Sequence, residues 1–218
     1  QKLTKAPAMK LPDSRPFPHD KLVQADDLEA FKAAFESSGV KDLPSWLTTE
    51  KYETFSWSPL HFVVGNNALK IMDWILEDMA SSQQGGDDKD LRNAYVKLFT
   101  TKSSDAEIPL HLAAQQGLVD MTRRLLTVME DQFPGQIGRL QCASKNSEGS
   151  TPPMVAVEHV GDKPMEQVEQ MLELLILKGG SNPKLKDSSG MDAFSTAKIL
   201  TNRGEELEKV LRKLAPKA

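Results

Sequence analysis

With one cysteine, Cys142, in 218 residues, the chain can form neither an internal disulfide framework nor a multi-cysteine zinc site. That usage suits a reducing compartment, and the thiol is expected to be packed. Long apolar runs are also missing. The longest greasy stretch, Met171 to Leu177, contains Glu173 and is followed by Lys178, well short of the roughly 18 residues that a spanning helix needs. Charge of one sign is not in excess either: 31 acidic against 27 basic residues leave a net charge of -4, which provides no overall basic field for nucleic acid. The four histidines show no His-x-x-x-His spacing, and neither a phosphate-binding Gly-x-x-x-x-Gly-Lys-Ser/Thr loop nor a twelve-residue calcium loop occurs. Gly85-Gly-Asp-Asp88 and Gly149-Ser-Thr-Pro152 therefore read as turns and caps, and no metal, cofactor or catalytic group is expected. Gln1 in place of an initiator Met, with no hydrophobic leader behind it, reads as the cut end of a longer chain or a processed terminus.

What is present is helical periodicity, broken at regular intervals. Residues 1–17 hold Pro7, Pro12, Pro16 and several lysines with almost no apolar period, and read as a flexible tail or docking arm. From His19 to Gly39, Leu22, Leu28, Phe31, Ala34 and Phe35 fall at helical spacing before a Ser-Ser-Gly stop. A helix from Ala68 to Ala80 carries Leu69, Met72, Trp74, Ile75, Leu76 and Met79, a face wide enough for neighbours on both sides. A later one carries Leu118, Met121, Leu125, Leu126 and Met129, and another runs from Met165 to Lys178 before Gly179-Gly180. Glu205 to Leu214 forms a charged last helix, and Asp192 is placed to cap the one before it. The acidic pairs Asp26-Asp27 and Glu205-Glu206 sit at helix beginnings, where they favour the helix dipole and make poor acid/base couples.

Three segments share a pattern: Ser58-Pro-Leu-His-Phe-Val-Val-Gly-Asn-Asn67, Ile108-Pro-Leu-His-Leu-Ala-Ala-Gln-Gln-Gly117 and, more loosely, Thr151-Pro-Pro-Met-Val-Ala-Val157. Each resembles the helix-opening Thr-Pro-Leu-His-x-Ala signature of the ankyrin repeat family. The resemblance implies an all-α solenoid of about five helix-turn-helix units joined by short hairpin turns, near 18–50, 51–105, 106–146, 147–186 and 187–218. It also implies that His61 and His111 are structural, tying each helix start to the adjoining hairpin. His19 and His159 are expected to be ordinary surface residues. Unit four lacks the motif leucine and histidine, with Pro153 and Met154 in their places, and Met191-Asp-Ala-Phe194 replaces the start of unit five.

Corresponding positions lie 50, 43 and 41 residues apart (Pro59, Pro109, Pro152, Ala193), against about 33 in a plain repeat. The surplus is expected as loops at Ser81–Glu107, Phe133–Gly138 and Gly161–Pro164, the first holding a short helix with Leu91, Ala94, Tyr95 and Leu98 that Asp88 could cap.

The family likeness implies a non-catalytic scaffold that binds another protein through its concave face and insertions, as a cytoplasmic adaptor or a bacterial effector acting in host cytoplasm. The alternative is a substrate-recruiting or regulatory module of a larger enzyme. On that face the motif places Trp57, Phe62, Leu112, Gln115, Gln116, Val155 and Glu158. The turns add Lys145, Asn146, Lys186 and Asp187, and the first insertion adds Tyr95. The cluster Tyr52, Phe55, Trp57 and Phe62 has two readings: aromatic anchors for a partner, or core packing against the first unit through Trp46 and Leu47. The cations Lys184, Lys186, Lys209, Arg212, Lys213 and Lys217 read as a solvated face rather than a phosphate site, given Glu205, Glu206 and Glu208 beside most of them. The scaffold is expected to be monomeric on its own, with no nucleic acid and no membrane span.

Overall fold

Residues 20–49, 56–82, 89–132, 135–136, 141–200 and 202–215 are described by a computed structural model, and among them every regular element is helical. The tail, with His19, lies outside the described residues, as do Tyr52, Phe55, 83–88 with Asp88, most of 133–138, and Lys217.

Short polar side chains start many of the helices. α1 (Asp20–Gln24) is followed by α2 (Leu28–Ser38), where the Ala30 N–H donates to the Asp27 carboxylate at 3.1 Å. Within the periodic stretch the two helices are separated where Asp26 takes φ 49°. That break has a use: the Asp26 carboxylate accepts from Lys70 N at 3.0 Å and Ile71 N at 3.1 Å, capping a helix of the next unit. Gly39 closes α2 in the left-handed conformation. α3 (Leu43–Thr49), which sequence periodicity did not reveal, is capped by Asp42 through Ser45 N.

α4 (Pro59–Gly65), α7 (Pro109–Gln116) and α9 (Pro152–Glu158) each open with proline in the first turn, where the missing N–H is not needed. Each is followed by a longer helix: α5 (Leu69–Ser82), α8 (Val119–Gln132) and α10 (Met165–Glu173), the last continuing as a π-turn over Leu174–Lys178. α6 (Lys89–Thr100) fills the first insertion. α11 (Ala193–Ile199) starts at Asp192, whose carboxylate accepts from Ser195 N at 2.8 Å, and α12 (Gly204–Leu214) ends the described chain.

The helices form two rows. α1, α4, α7, α9 and α11 pack side by side in one, and α2, α5, α8, α10 and α12 in the other, with each short helix resting on the long one that follows it. α3 and α6 pack on each other outside this pattern, and the Tyr95 hydroxyl of α6 donates to Asp78 of α5. One continuous core runs between the rows, from Val23 and Phe31 through Leu60, Met72, Leu110, Leu125, Leu172 and Leu175 to Leu211. Burial of this apolar surface is the main term holding neighbouring helix pairs together. Arg124 of α8 adds a two-pronged pair to Asp73 of α5, at 2.5 and 3.1 Å. No helix among the described residues is long and apolar enough to cross a membrane.

Candidate interaction surface

Three turns project beside the starts of α7, α9 and α11, and they are built alike. In each, the first residue's N–H donates to the carbonyl of the fifth: Ser103 to Glu107 at 2.8 Å, Asn146 to Ser150 at 3.1 Å, Asp187 to Met191 at 2.7 Å. The fifth N–H returns to the first side chain, as Glu107 to Ser103 Oγ, Ser150 to Asn146 Oδ1 and Met191 to Asp187 Oδ1. Ser, Asn and Asp stand at this place because their short side chains reach their own backbone. The fourth residue takes positive φ in each turn: Ala106 at 58°, Gly149 at 84° and Gly190 at 78°.

Neighbouring turns are interlocked. Ser147 N donates to Asp105 O at 2.8 Å and Ser188 N to Glu148 O at 3.0 Å. A lysine precedes every turn, and the first two reach the backbone before the next: Lys102 Nζ to Lys145 O at 2.9 Å, then Lys145 Nζ to Lys186 O at 2.5 Å. Lys102 and Ser103 were missed by the sequence reading, although Lys-Ser-Ser-Asp-Ala, Lys-Asn-Ser-Glu-Gly and Lys-Asp-Ser-Ser-Gly carry the signal once aligned.

Glycine is required at the second of these turns. A Cβ on Gly149 would lie 2.6 Å from the Ser188 backbone nitrogen, on top of the left-handed strain. Gly149→Ala should therefore cost at least about 2 kcal/mol. Ala106→Gly, which relieves the same conformation where alanine already fits, should shift stability by no more than about 1 kcal/mol. Thermal unfolding of the two variants checks the contrast.

Behind the turns stand His61 and His111. The His61 Nδ1 accepts from Ser58 N at 3.1 Å and lies 2.7 Å from Ser58 Oγ, while its Nε2 reaches Glu107 O at 3.0 Å, in the next unit. His111 repeats this, with Nδ1 accepting from Ile108 N at 3.2 Å and Nε2 reaching Ser150 O at 3.2 Å. An Nδ1 that accepts from an amide puts the proton on Nε2, so each ring is a neutral rung between successive units. Burial lowers both to about 4, against an opposing pull from the carbonyl that each ring meets. Both nitrogens of both rings are thereby occupied in holding backbone.

Burial raises the carboxyls of Glu107 and Glu158, and their acidic neighbours Asp105, Glu148 and Asp187 add to the effect. Burial also pushes the Cys142 thiol up to about 12, so the thiolate nucleophile is disfavoured. His159, expected at the surface, is half-buried and lowered for the same reason. Among the described residues no group of three or more His, Cys, Asp or Glu could hold a metal ion.

The structure divides the expected surface residues. Trp57, Phe62, Tyr95 and Leu112 are only 3, 5, 1 and 1% exposed, so in the free chain they are core residues and not a presented face. Their burial has specific causes. Trp57 lies 6.1 Å from the His61 ring and 5.4 Å edge-on from Phe62. A Cβ on Gly65 would sit 3.1 Å from Leu112 Cδ2 and 3.7 Å from Trp57 Cζ3, which shows how closely α4 and α7 approach. Val155 is buried by the same side-by-side packing. Trp46 packs with Phe31 and Phe35 against the core that holds Leu47, Trp57 and Phe62 together.

Gln115, Gln116 and Glu158 are half-buried at the ends of α7 and α9, where Glu158 accepts from Ser150 Oγ at 3.1 Å. Lys145 and Lys186 are exposed at the turns; Asn146 and Asp187 are half-buried and give a side-chain oxygen to the turn backbone. The sequence matches no family model and no curated protein.

Proposed function

We propose that the chain is a non-catalytic scaffold of the ankyrin-repeat kind, built from about five units, that binds another protein along its row of turns and the adjoining helix ends. The observation that carries this reading is the interlocked row itself. Three turns of one construction, joined by Ser147 to Asp105 and by Ser188 to Glu148, hold exposed side chains in fixed register. Such preorganisation lowers the ordering cost of association. Both motif histidines are consumed in supporting this row, which agrees with a structural role rather than a chemical one. The working surface comprises Lys145, Lys186, Gln115, Gln116 and Glu158, shaped by Asn146 and Asp187. Trp57, Phe62, Tyr95 and Leu112 support it from within. A lone packed cysteine fits action in the cytoplasm, by a chain that is monomeric until it meets its partner.

The test is affinity capture from a cell lysate with wild type and a Lys145→Glu, Lys186→Glu variant, quantified by mass spectrometry, alongside thermal melts of both. One or more proteins enriched by wild type and lost from the variant, with melting nearly unchanged, is the expected result. Identical capture by the two would remove the turn row from the binding surface.

A further inference from the structure

We propose that the last unit, from the turn at Asp187 through α11 and α12, opens from the rest of the fold as a unit of its own, because the third histidine rung is missing. His61 joins α4 to the carbonyl of Glu107, and His111 joins α7 to the carbonyl of Ser150. In α9 the same place holds Met154, whose thioether has no proton to give to the corresponding carbonyl, that of Met191. The other parts of a rung remain. Met191 O accepts from Asp187 N at 2.7 Å, as Glu107 O and Ser150 O accept from theirs. Thr151 stands where Ser58 meets His61, and its hydroxyl oxygen is buried with no hydrogen-bond partner among the described residues. The place thus keeps the carbonyl and the hydroxyl of a rung, and Met154 fills it with a side chain that donates to neither.

No imidazole crosses the seam. α11, with Ala193 and Ala197 among its buried residues, packs on α9, and α12 packs on α10. The polar links are Ser188 N to Glu148 O, Lys145 Nζ to Lys186 O, Ala193 N to Pro183 O at 3.1 Å, Arg203 Nη1 to Gly161 O at 3.2 Å and to Lys163 O, and an exposed Lys213 to Glu169 pair at 2.7 Å. Exposed pairs of this kind contribute little. The connection before the last unit follows Ser181, which is buried and anchored by its Oγ to Cys142 O at 2.8 Å, so the seam lies beyond that anchor. Opening there uncovers Met154 and Val157 on α9.

Amide hydrogen exchange on the full chain, read at sub-denaturing urea, tests this with wild type, Met154→His and the apolar control Met154→Leu. In wild type the amides of 187–214 should share one opening and exchange at least about tenfold faster than those of α7 and α9. Met154→His should slow that group by about tenfold, and Met154→Leu should leave it unchanged. If the group in wild type follows the same urea dependence as α7 and α9, the proposal falls. It falls equally if a folded Met154→His leaves the group's exchange as it was. Should that variant not fold, the wild-type comparison alone decides.

Discussion

Trp57→Ala is expected to destabilise the protein by about 3–5 kcal/mol, seen as a lower urea midpoint at unchanged slope. The indole is 3% exposed and wedged between the His61 ring and the edge of Phe62, so truncation removes its apolar burial and leaves a void beside a histidine rung. Phe62→Ala should cost a similar amount, about 3–5 kcal/mol. Because the two rings touch, the effects will not simply add. Small domains are stable by about 5–15 kcal/mol, so the double substitution should leave little folded protein, whatever it does to binding. A well-folded double mutant with a wild-type midpoint would return both rings to the surface and revive them as partner anchors.

Acidification from pH 7 to pH 4 should unfold the protein progressively, and the histidine rungs supply the reason. In the unfolded chain each imidazole takes a proton near 6.5; in the fold burial holds it to about 4. The unfolded state therefore binds more protons throughout that window, and stability present above pH 6.5 is lost as pH falls toward 4. For each rung the loss at pH 4 is about 3 kcal/mol. Half-buried His159, also lowered, acts with the same sign. Glu107 and Glu158 act against it, since their raised carboxyls hold protons more tightly in the fold than out of it. A difference measurement removes that opposition: the cost of His111→Gln, measured by urea unfolding, should shrink by about 3 kcal/mol between pH 7 and pH 4. A cost that stays constant over that range would mean that the His111 ring is not held neutral.

Helix starts were the most readable part of the sequence, because their physics is local. Pro59, Pro109 and Pro152 open helices, Asp192 caps one, and Leu91, Ala94, Tyr95 and Leu98 mark α6 within its insertion. The break at Asp26 was not readable, since the carboxylate that makes it useful answers to Lys70 and Ile71, more than forty residues away. α3 escaped because seven residues give too few turns for a period to show. The facing of Trp57, Phe62, Tyr95 and Leu112 was lost for another reason. Periodicity says that a side chain lies on an apolar stripe but not which neighbour covers it: here α4, α7, α9 and α11 stand close enough to cover Trp57, Phe62 and Leu112, while Tyr95 is held where α6 packs on α3 and meets Asp78 of α5. The turn residues Lys145, Asn146, Lys186 and Asp187 were found by position alone; the bonds that make them one row join residues about forty apart and appear only in the fold.

The two rungs also govern where this chain can be divided. They close the stretches 61–107 and 111–150, so nearly any truncation between α4 and the turn before α9 parts an imidazole from its carbonyl and leaves the ring without its partner. A boundary placed between Ser181 and Asp187 parts neither. Grafting, fusion or exchange of units in this protein therefore has a natural joint on its C-terminal side, and an indivisible block from α4 to α9 ahead of it.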